Sequence, residues 1–301
     1  MNKVPHIPVL YNEVIDTFKN IKDGYIVDCT LGYGGHTLSI LENNPDVQMI
    51  CNDQDDEALN FSKERLINYK DRILFNKGNF KDITKCFQNK KINGILADIG
   101  VSSLQLDKKE RGFGFLSDVL DMRMDTNADL SAHDVVNNYS MNELEHIFKE
   151  YGEISEYKKV ASLIIQNRPI NSARELSEIL EKNMHRGKLH PATLAFQAIR
   201  IEVNDELGVL EELFKSFEES NLTDCTIAII SFHSLEDRIV KNYFKKWTQK
   251  CICPSNVFRC ECGNNNQKGK IITKKPIIPT NEEIKRNPRS RSSKMRIFKF
   301  D

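Results

Sequence analysis

The chain has 301 residues, 40% of them hydrophobic and 29% charged, which is enough for one large domain or two smaller ones with real cores. Its formal net charge is zero, so no whole-molecule field draws it to nucleic acid, and any such binding has to come from local patches. No apolar run approaches the ~20 residues of a membrane-spanning helix, and the start, Met1-Asn2-Lys3-Val4-Pro5-His6, lacks a secretory pattern; the expectation is a cytoplasmic protein with no membrane partner.

In chain order, Tyr11 to Asn20 carries Val14, Ile15 and Phe18 at helical spacing and reads as a packing segment. A short β-favouring run, Tyr25-Ile26-Val27, ends in Asp28. It is followed by a turn with three glycines (Gly32, Gly34, Gly35), then His36 and a helical stretch from Thr37 to Leu41. Strand, glycine turn and helix in this order let a backbone approach a nucleotide at the carboxyl end of a first strand. Counting from Gly32, the third glycine of the dinucleotide fingerprint falls on Thr37, so the match fails and a pyrophosphate ligand is disfavoured. S-adenosylmethionine (SAM) lacks a phosphate and needs an acceptor for its amino group and an acid for its ribose; Asp28 and Asp53 are candidates for these two tasks.

The second strand spans Val47 to Cys51 and closes on Asn52-Asp53, about twenty residues past the glycines, where a second-strand acid meets a nucleotide ribose. Asp56 to Tyr69 reads as a helix and Arg72 to Phe75 as a third strand. Phe80 follows, placed either to stack on an adenine or to fill the core. The fourth strand, Ile92 to Ile99, is apolar except for Asp98, an acid aimed from a strand end toward a ligand crevice.

Asp107 to Asp125 interleaves aromatic and basic residues (Arg111, Phe113, Phe115, Arg123). Such a loop can grip single-stranded bases or simply pack its phenylalanines. From Ser131 to about Ser220 the pattern is helical, with roughly four helices. Ser140 with Glu143 and Ser172 with Glu175 fit capping boxes, Pro169 stops one helix, and Pro191 suits the first turn of another. Strand five, Thr226 to Ile230, delivers Ser231-Phe232-His233-Ser234. Ser234 with Asp237 marks a helix start, and His233 is either a substrate contact or structural.

Of eight cysteines, Cys29, Cys51, Cys86 and Cys225 sit in or near core segments. Cys251, Cys253, Cys260 and Cys262 form two Cys-x-Cys pairs. A structural metal loop is preferred there over free thiols, although the spacing differs from the usual knuckle, and a disulfide is disfavoured by compartment. Lys268 to Lys299 is strongly basic, with Arg286, Arg289, Arg291 and Lys294, and supplies a local positive patch. Met295 to Phe300 alternates as a last strand would.

Gly32-Tyr-Gly-Gly-His36, Ala97-Asp-Ile-Gly-Val-Ser-Ser103, Gln105-Leu-Asp107, Arg111-Gly-Phe113, Leu120-Asp-Met-Arg-Met-Asp125, His190-Pro-Ala-Thr193, Phe196-Gln-Ala-Ile-Arg200 and Ser231-Phe-His-Ser-Leu-Glu-Asp-Arg238 together closely resemble the MraW family of ribosomal RNA small-subunit methyltransferases. The likeness runs from His6 to Lys294. It implies an α/β class I SAM-dependent methyltransferase (Rossmann-like) sheet with an inserted all-helical subdomain. The implied division is core residues 1–105, an inserted loop and helical substrate-binding subdomain at 106–205, and core residues 206–301 with the cysteine loop and basic tail. The implied activity is methylation of the exocyclic N4 of a cytidine in the decoding region of 16S rRNA in the small ribosomal subunit.

By position, Gly34, Gly35 and His36 resemble the family's loop contacts to SAM, Asp53 its ribose ligand, Phe80 its adenine neighbour, and Asp98 and Gln105 further cofactor contacts. The catalytic proton acceptor stays open, with Asp98 and His233 as candidates. The chain departs from the family pattern at Asn52, where an apolar residue is usual, and at Leu104, where a proline is common.

Overall fold

The computed structural model describes residues 8–101, 106, 108–185, 190–254, 257 and 259–301. The chain divides into two compact units, one made of 1–100 with 209–301 and the other of 101–208. The strands are β1 (Tyr25–Asp28), β2 (Gln48–Asp53), β3 (Ile73–Lys77), β4 (Ile92–Asp98), β5 (Thr226–Ser231), β6 (Gly269–Ile271) and β7 (Lys294–Phe300). The helices are α1 (Tyr11–Phe18), α2 (Gly35–Asn43), α3 (Asp56–Arg65), α4 (Ala132–Asn138), α5 (Met141–Glu150), α6 (Tyr157–Gln166), α7 (Ala173–Asn183), α8 (Thr193–Asn204), α9 (Glu206–Glu219), α10 (Ser234–Trp247) and α11 (Asn281–Arg286).

The first unit is a seven-stranded sheet in the order β3-β2-β1-β4-β5-β7-β6. Strands β1 to β5 pair in parallel, and β7 runs antiparallel to both β5 and β6. Strands β1, β2, β4, β5 and β7 are apolar on both faces, so neighbouring residues enter opposite cores. Ile26, Met49, Leu96, Ala228, Ile230 and Ile297 pack with Val14, Phe18, Ile40, Leu41 and Leu59 of α1 to α3. Their neighbours Val27, Ile50, Ile95, Ile227, Ile229 and Phe298 pack with Leu213, Phe214 and Phe217 of α9 and Phe244 and Trp247 of α10. Alternation at period two, with apolar residues in both phases, is what commits this sheet to a layer of helices on each side.

The expected helix 56–69 stops at Arg65, and Ile67–Arg72 tightens into a 3₁₀ segment. The region expected to hold about four helices holds six, α4 to α9, among the described residues. Short helices were run together in the sequence pattern because their connections are polar and brief. Ser131 with Asp134 and Ser140 with Glu143 form full capping boxes that punctuate them. Ser172 caps α7, whereas Pro191 lies just ahead of α8, which begins at Thr193. The helical unit has its own core, built on Val135, Leu144, Phe148, Val160, Ile164, Leu176 and Ile199.

The loop with interleaved aromatic and basic residues proves structural at three of its four named positions. Arg111 is buried, and its guanidinium donates to the carbonyl oxygens of Arg123 at 3.1 Å and Met124 at 3.0 Å. Arg123 grips Asp121 through two bonds of 3.0 and 2.8 Å, and Phe113 joins the core. Phe115 is only partly buried, stacked on His190 with ring centroids 4.7 Å apart. A charged loop in sequence is thus largely a neutralised, packed one in space.

Candidate active site at the strand ends

Because β1 to β5 are parallel, their carboxyl ends lie together, and three of them finish in acids, Asp28, Asp53 and Asp98. Asp28 is enclosed, at 1% exposure. It accepts the Thr37 hydroxyl at 2.7 Å and the Thr30 N–H at 3.2 Å. Burial pushes its carboxyl above the ordinary range, against the pull of the Thr37 hydrogen bond. Instead of being the open acceptor expected for a ligand amine, Asp28 braces the turn into α2.

That turn depends on backbone that only glycine adopts readily. Gly32 has φ 51° and Gly34 has φ 70°, both left-handed. A Cβ on Gly32 would meet nothing within 4 Å, so its surface is open, whereas one on Gly35 would lie 2.4 Å from Cγ of Pro8. Gly34 caps α2 without a side-chain hydrogen bond. The first-turn N–H groups of this nine-residue helix therefore present a positive end with no side-chain cap.

Asp53 closes the same turn from β2. Its Oδ2 accepts the Gly32 N–H at 2.8 Å and its Oδ1 the Asp55 N–H at 2.9 Å. Burial outweighs both bonds and raises its pKa to about 6. Each carboxylate oxygen keeps a lone pair for a ligand hydroxyl. Asn52, the departure from the family pattern, earns its polarity: its amide donates to the carbonyls of Cys29 at 3.1 Å and Gly78 at 3.0 Å, and its oxygen accepts from Asn76 at 2.6 Å. It ties the ends of β1, β2 and β3 together. Sequence reasoning noticed this residue but not its task; a lone polar side chain inside an apolar strand was the available signal.

Asp98 ends β4 with its own N–H donated to Thr30 Oγ1 at 2.7 Å, a tether that sequence reasoning missed. Its Oδ2 stands 3.7 Å from His36 Nε2. Among the described residues, Asp98 Oδ1 and both ring nitrogens of His36 are buried without a hydrogen-bond partner. Asn93 Oδ1 and His233 Nε2 share this state, but on His36 and Asp98 three such atoms occur on two side chains at the ligand end of the sheet, where a bound group accounts for them. Phe80 is half-buried and packs against the core cluster on the α9 and α10 side of the sheet, so it fills the core and keeps some surface open. Gln105 lies outside the described residues.

The helix expected at Ser234 does begin there as α10, but His233 rather than Ser234 is its N-cap. Its Nδ1 accepts the Glu236 N–H at 3.5 Å, while Glu236 Oε2 accepts the N–H groups of Phe232 at 2.7 Å and His233 at 3.2 Å. His233 Nε2 also lies 3.0 Å from Glu236 Oε1, and its side chain is 6% exposed. The four cysteines Cys251, Cys253, Cys260 and Cys262 gather with their sulfurs within 4.8 Å of one another.

This strand order with one reversed strand, opened by a glycine turn and acids at the ends of the first, second and fourth strands, is that of a class I methyltransferase. Residues 3–301 match the profile of the MraW methylase family, and the chain belongs to that family. The methyl donor that goes with this family and fold is SAM. The chain is 68% identical over 298 residues to "Ribosomal RNA small subunit methyltransferase H" of Aliarcobacter butzleri, covering 99% of each protein. It is 56% identical to the protein of the same name from Sulfurimonas denitrificans, covering 100% of this chain and 99% of that one. A solved structure of a putative rRNA-methylase from Clostridium thermocellum aligns over 98% of this chain and 100% of that one, at 10% identity and a TM-score of 0.43. No helix among the described residues is long and apolar enough to cross a membrane.

Proposed function

We propose that this protein methylates the exocyclic N4 of a cytidine in the decoding region of 16S rRNA, acting in the cytoplasm on the small ribosomal subunit. Family membership and the full-length relatives named as ribosomal RNA small subunit methyltransferases support SAM-dependent methylation of that RNA. The observation that carries the donor pocket is the set of buried, unpartnered polar atoms on His36 and Asp98, beside the open left-handed glycine at Gly32.

In this reading Asp53 accepts the ribose hydroxyls and Phe80 flanks the adenine. Gly34, Gly35 and His36 hold the methionine part at the positive end of α2, whose side-chain cap is missing. Asp98 and Gln105 are further contacts to the donor. Bound there, SAM supplies a methyl group on a sulfonium. The cytosine N4 is a weak nucleophile because its lone pair is delocalised into the ring, so the protein's work is to draw the base out of its stack and hold N4 in line. Asp98 is assigned to the donor. His233, engaged by Glu236, is a positioning residue that sets the start of α10. The all-helical unit is assigned to RNA selection, with the basic stretch around Arg286, Arg289 and Arg291 adding charge for phosphates.

The test supplies labelled SAM and the purified protein to small subunits from cells lacking it, with free 16S rRNA in parallel, and maps the modified nucleotide. Label on N4 of one decoding-region cytidine is the expected result. Label on another atom or nucleotide would overturn the cytidine-N4 assignment, and binding of subunits without any transfer would favour a ribosome-binding module instead.

A further inference from the structure

Among its described residues, the segment between α10 and β6 has no core of its own. It leaves the sheet's helical layer at Trp247 and returns where the Lys268 N–H meets the Trp247 carbonyl at 2.8 Å. None of the described residues from Thr248 to Lys268 is buried, and Ile252 is 55% exposed. A connection of this length whose described residues form no helix or strand and bury no apolar side chain needs another source of order. What it contains instead is four thiols drawn together. Cys251 Sγ lies 3.6 Å from Cys260 Sγ and 3.8 Å from Cys262 Sγ, and Cys260 and Cys262 are 3.5 Å apart.

These distances point to a single tetrahedral ion. A disulfide needs sulfurs at about 2.0 Å, far inside the observed spacing. A tetrahedral ion with metal–sulfur bonds of about 2.3 Å sets its ligands about 3.8 Å apart, since a tetrahedron's edge is roughly 1.6 times its radius. Three of the sulfurs already outline one face of that tetrahedron, and Cys253 is within reach of all three. Sulfurs so close converge on one ion; an iron–sulfur cluster spreads its cysteines over separate irons.

The backbone is arranged for thiolates as well. The Ile252 N–H, in the middle of the first pair, donates to Cys262 Sγ at 3.4 Å. The Glu261 N–H, in the middle of the second pair, donates to Cys253 Sγ at 3.3 Å. Each pair thus supplies a donor to a sulfur of the other, the outer-shell support that charged ligands require.

We propose that Cys251, Cys253, Cys260 and Cys262 bind one zinc ion, a structural site that orders the connection between α10 and β6 and stands apart from the methyl-transfer chemistry. A soft, tetrahedral, four-thiolate site with no open position suits zinc and leaves no room for substrate.

Elemental analysis of the full-length protein, purified without chelator, should find one zinc per chain. Cys86→Ser, at a half-buried cysteine outside the cluster, should keep that equivalent, and the double variant Cys253→Ser/Cys260→Ser should lose it. Because the double variant could fail to fold, the unaltered protein is also titrated with an organomercurial beside a zinc-sensitive dye. Release of one zinc as the cluster's thiols react is expected, and with it faster tryptic cleavage after Lys250 and Arg259. A metal-free folded protein, iron in place of zinc, or an intact mass showing disulfides would each overturn the proposal. Methyl transfer is a separate readout, so failure here leaves the donor pocket untouched.

Discussion

At the scale of single residues, the acids at the strand ends divide their labour by environment. Asp28 is enclosed and spends its oxygens on Thr30 and Thr37, whereas Asp98 keeps an unpartnered buried oxygen. Replacing Asp98 with alanine should abolish SAM binding in a calorimetric titration if it serves the donor; intact binding with lost methyl transfer would make it catalytic instead. Asp53 titrates at about 6 because burial penalises its charge. A carboxyl raised in the folded state stabilises the donor-free protein when protonated, and that contribution is lost as pH rises through about 6. Binding has the opposite sign, since ribose hydroxyls need an acceptor and both oxygens already take a backbone N–H. SAM affinity should therefore fall as pH drops below about 6. Asp53→Asn should weaken binding by about tenfold or more, the worth of a hydrogen bond to a charged group, and flatten that pH dependence. The same titration series at pH 5 to 8 checks both. That Asp53 would stand beside the glycine turn was legible from its distance to the glycines, and its Oδ2 does accept the Gly32 N–H. That Asp28 would turn inward was not, because its partner hydroxyl nine residues on becomes a neighbour only when the turn closes.

At the scale of elements, the alternating residues of Met295 to Phe300 announced a strand, but not one inserted between β5 and β6. Its Phe298 and Phe300 pack on Trp247 with ring centroids 5.3 and 5.0 Å away, and the Trp247 indole donates to Glu218 at 2.7 Å. Trp247→Ala should cost about 3–5 kcal/mol, as other large buried aromatics do, read as a lower urea midpoint. Arg296, part of the basic stretch in sequence, is buried against Asp237 through bonds of 2.6 and 3.0 Å, so it belongs to the sheet and not to the positive patch. The start of α10 shows a related limit. Ser234 is the better capping residue by type, yet His233 takes the position because Glu236 reaches back to both N–H groups ahead of the helix.

At the scale of the whole chain, the two units have separate cores. Every buried member of the helical core falls between Phe113 and Val203, and that unit is one continuous piece of chain, 101–208. Expressed alone, it should keep a helical circular-dichroism spectrum and melt cooperatively, without binding SAM, because the residues proposed to hold the donor, Gln105 apart, lie outside it. A fragment that stays unfolded would show that its core needs the rest of the protein.

By itself the sequence determined the βα alternation, the glycine turn, the acids that end β1, β2 and β4 and the family, because these are local: period-two apolar runs, φ angles that only glycine tolerates, and motifs written in consecutive residues. Only the tertiary structure decided which charges are free to act. Arg111, Arg123, Arg296 and Asp28 are consumed by partners that the fold brings to them, while His36 and Asp98 are left wanting one. The four thiols likewise meet across a turn that their spacing alone does not describe. Pairing depends on distance in space, and distance in space is set by packing, which no local pattern encodes.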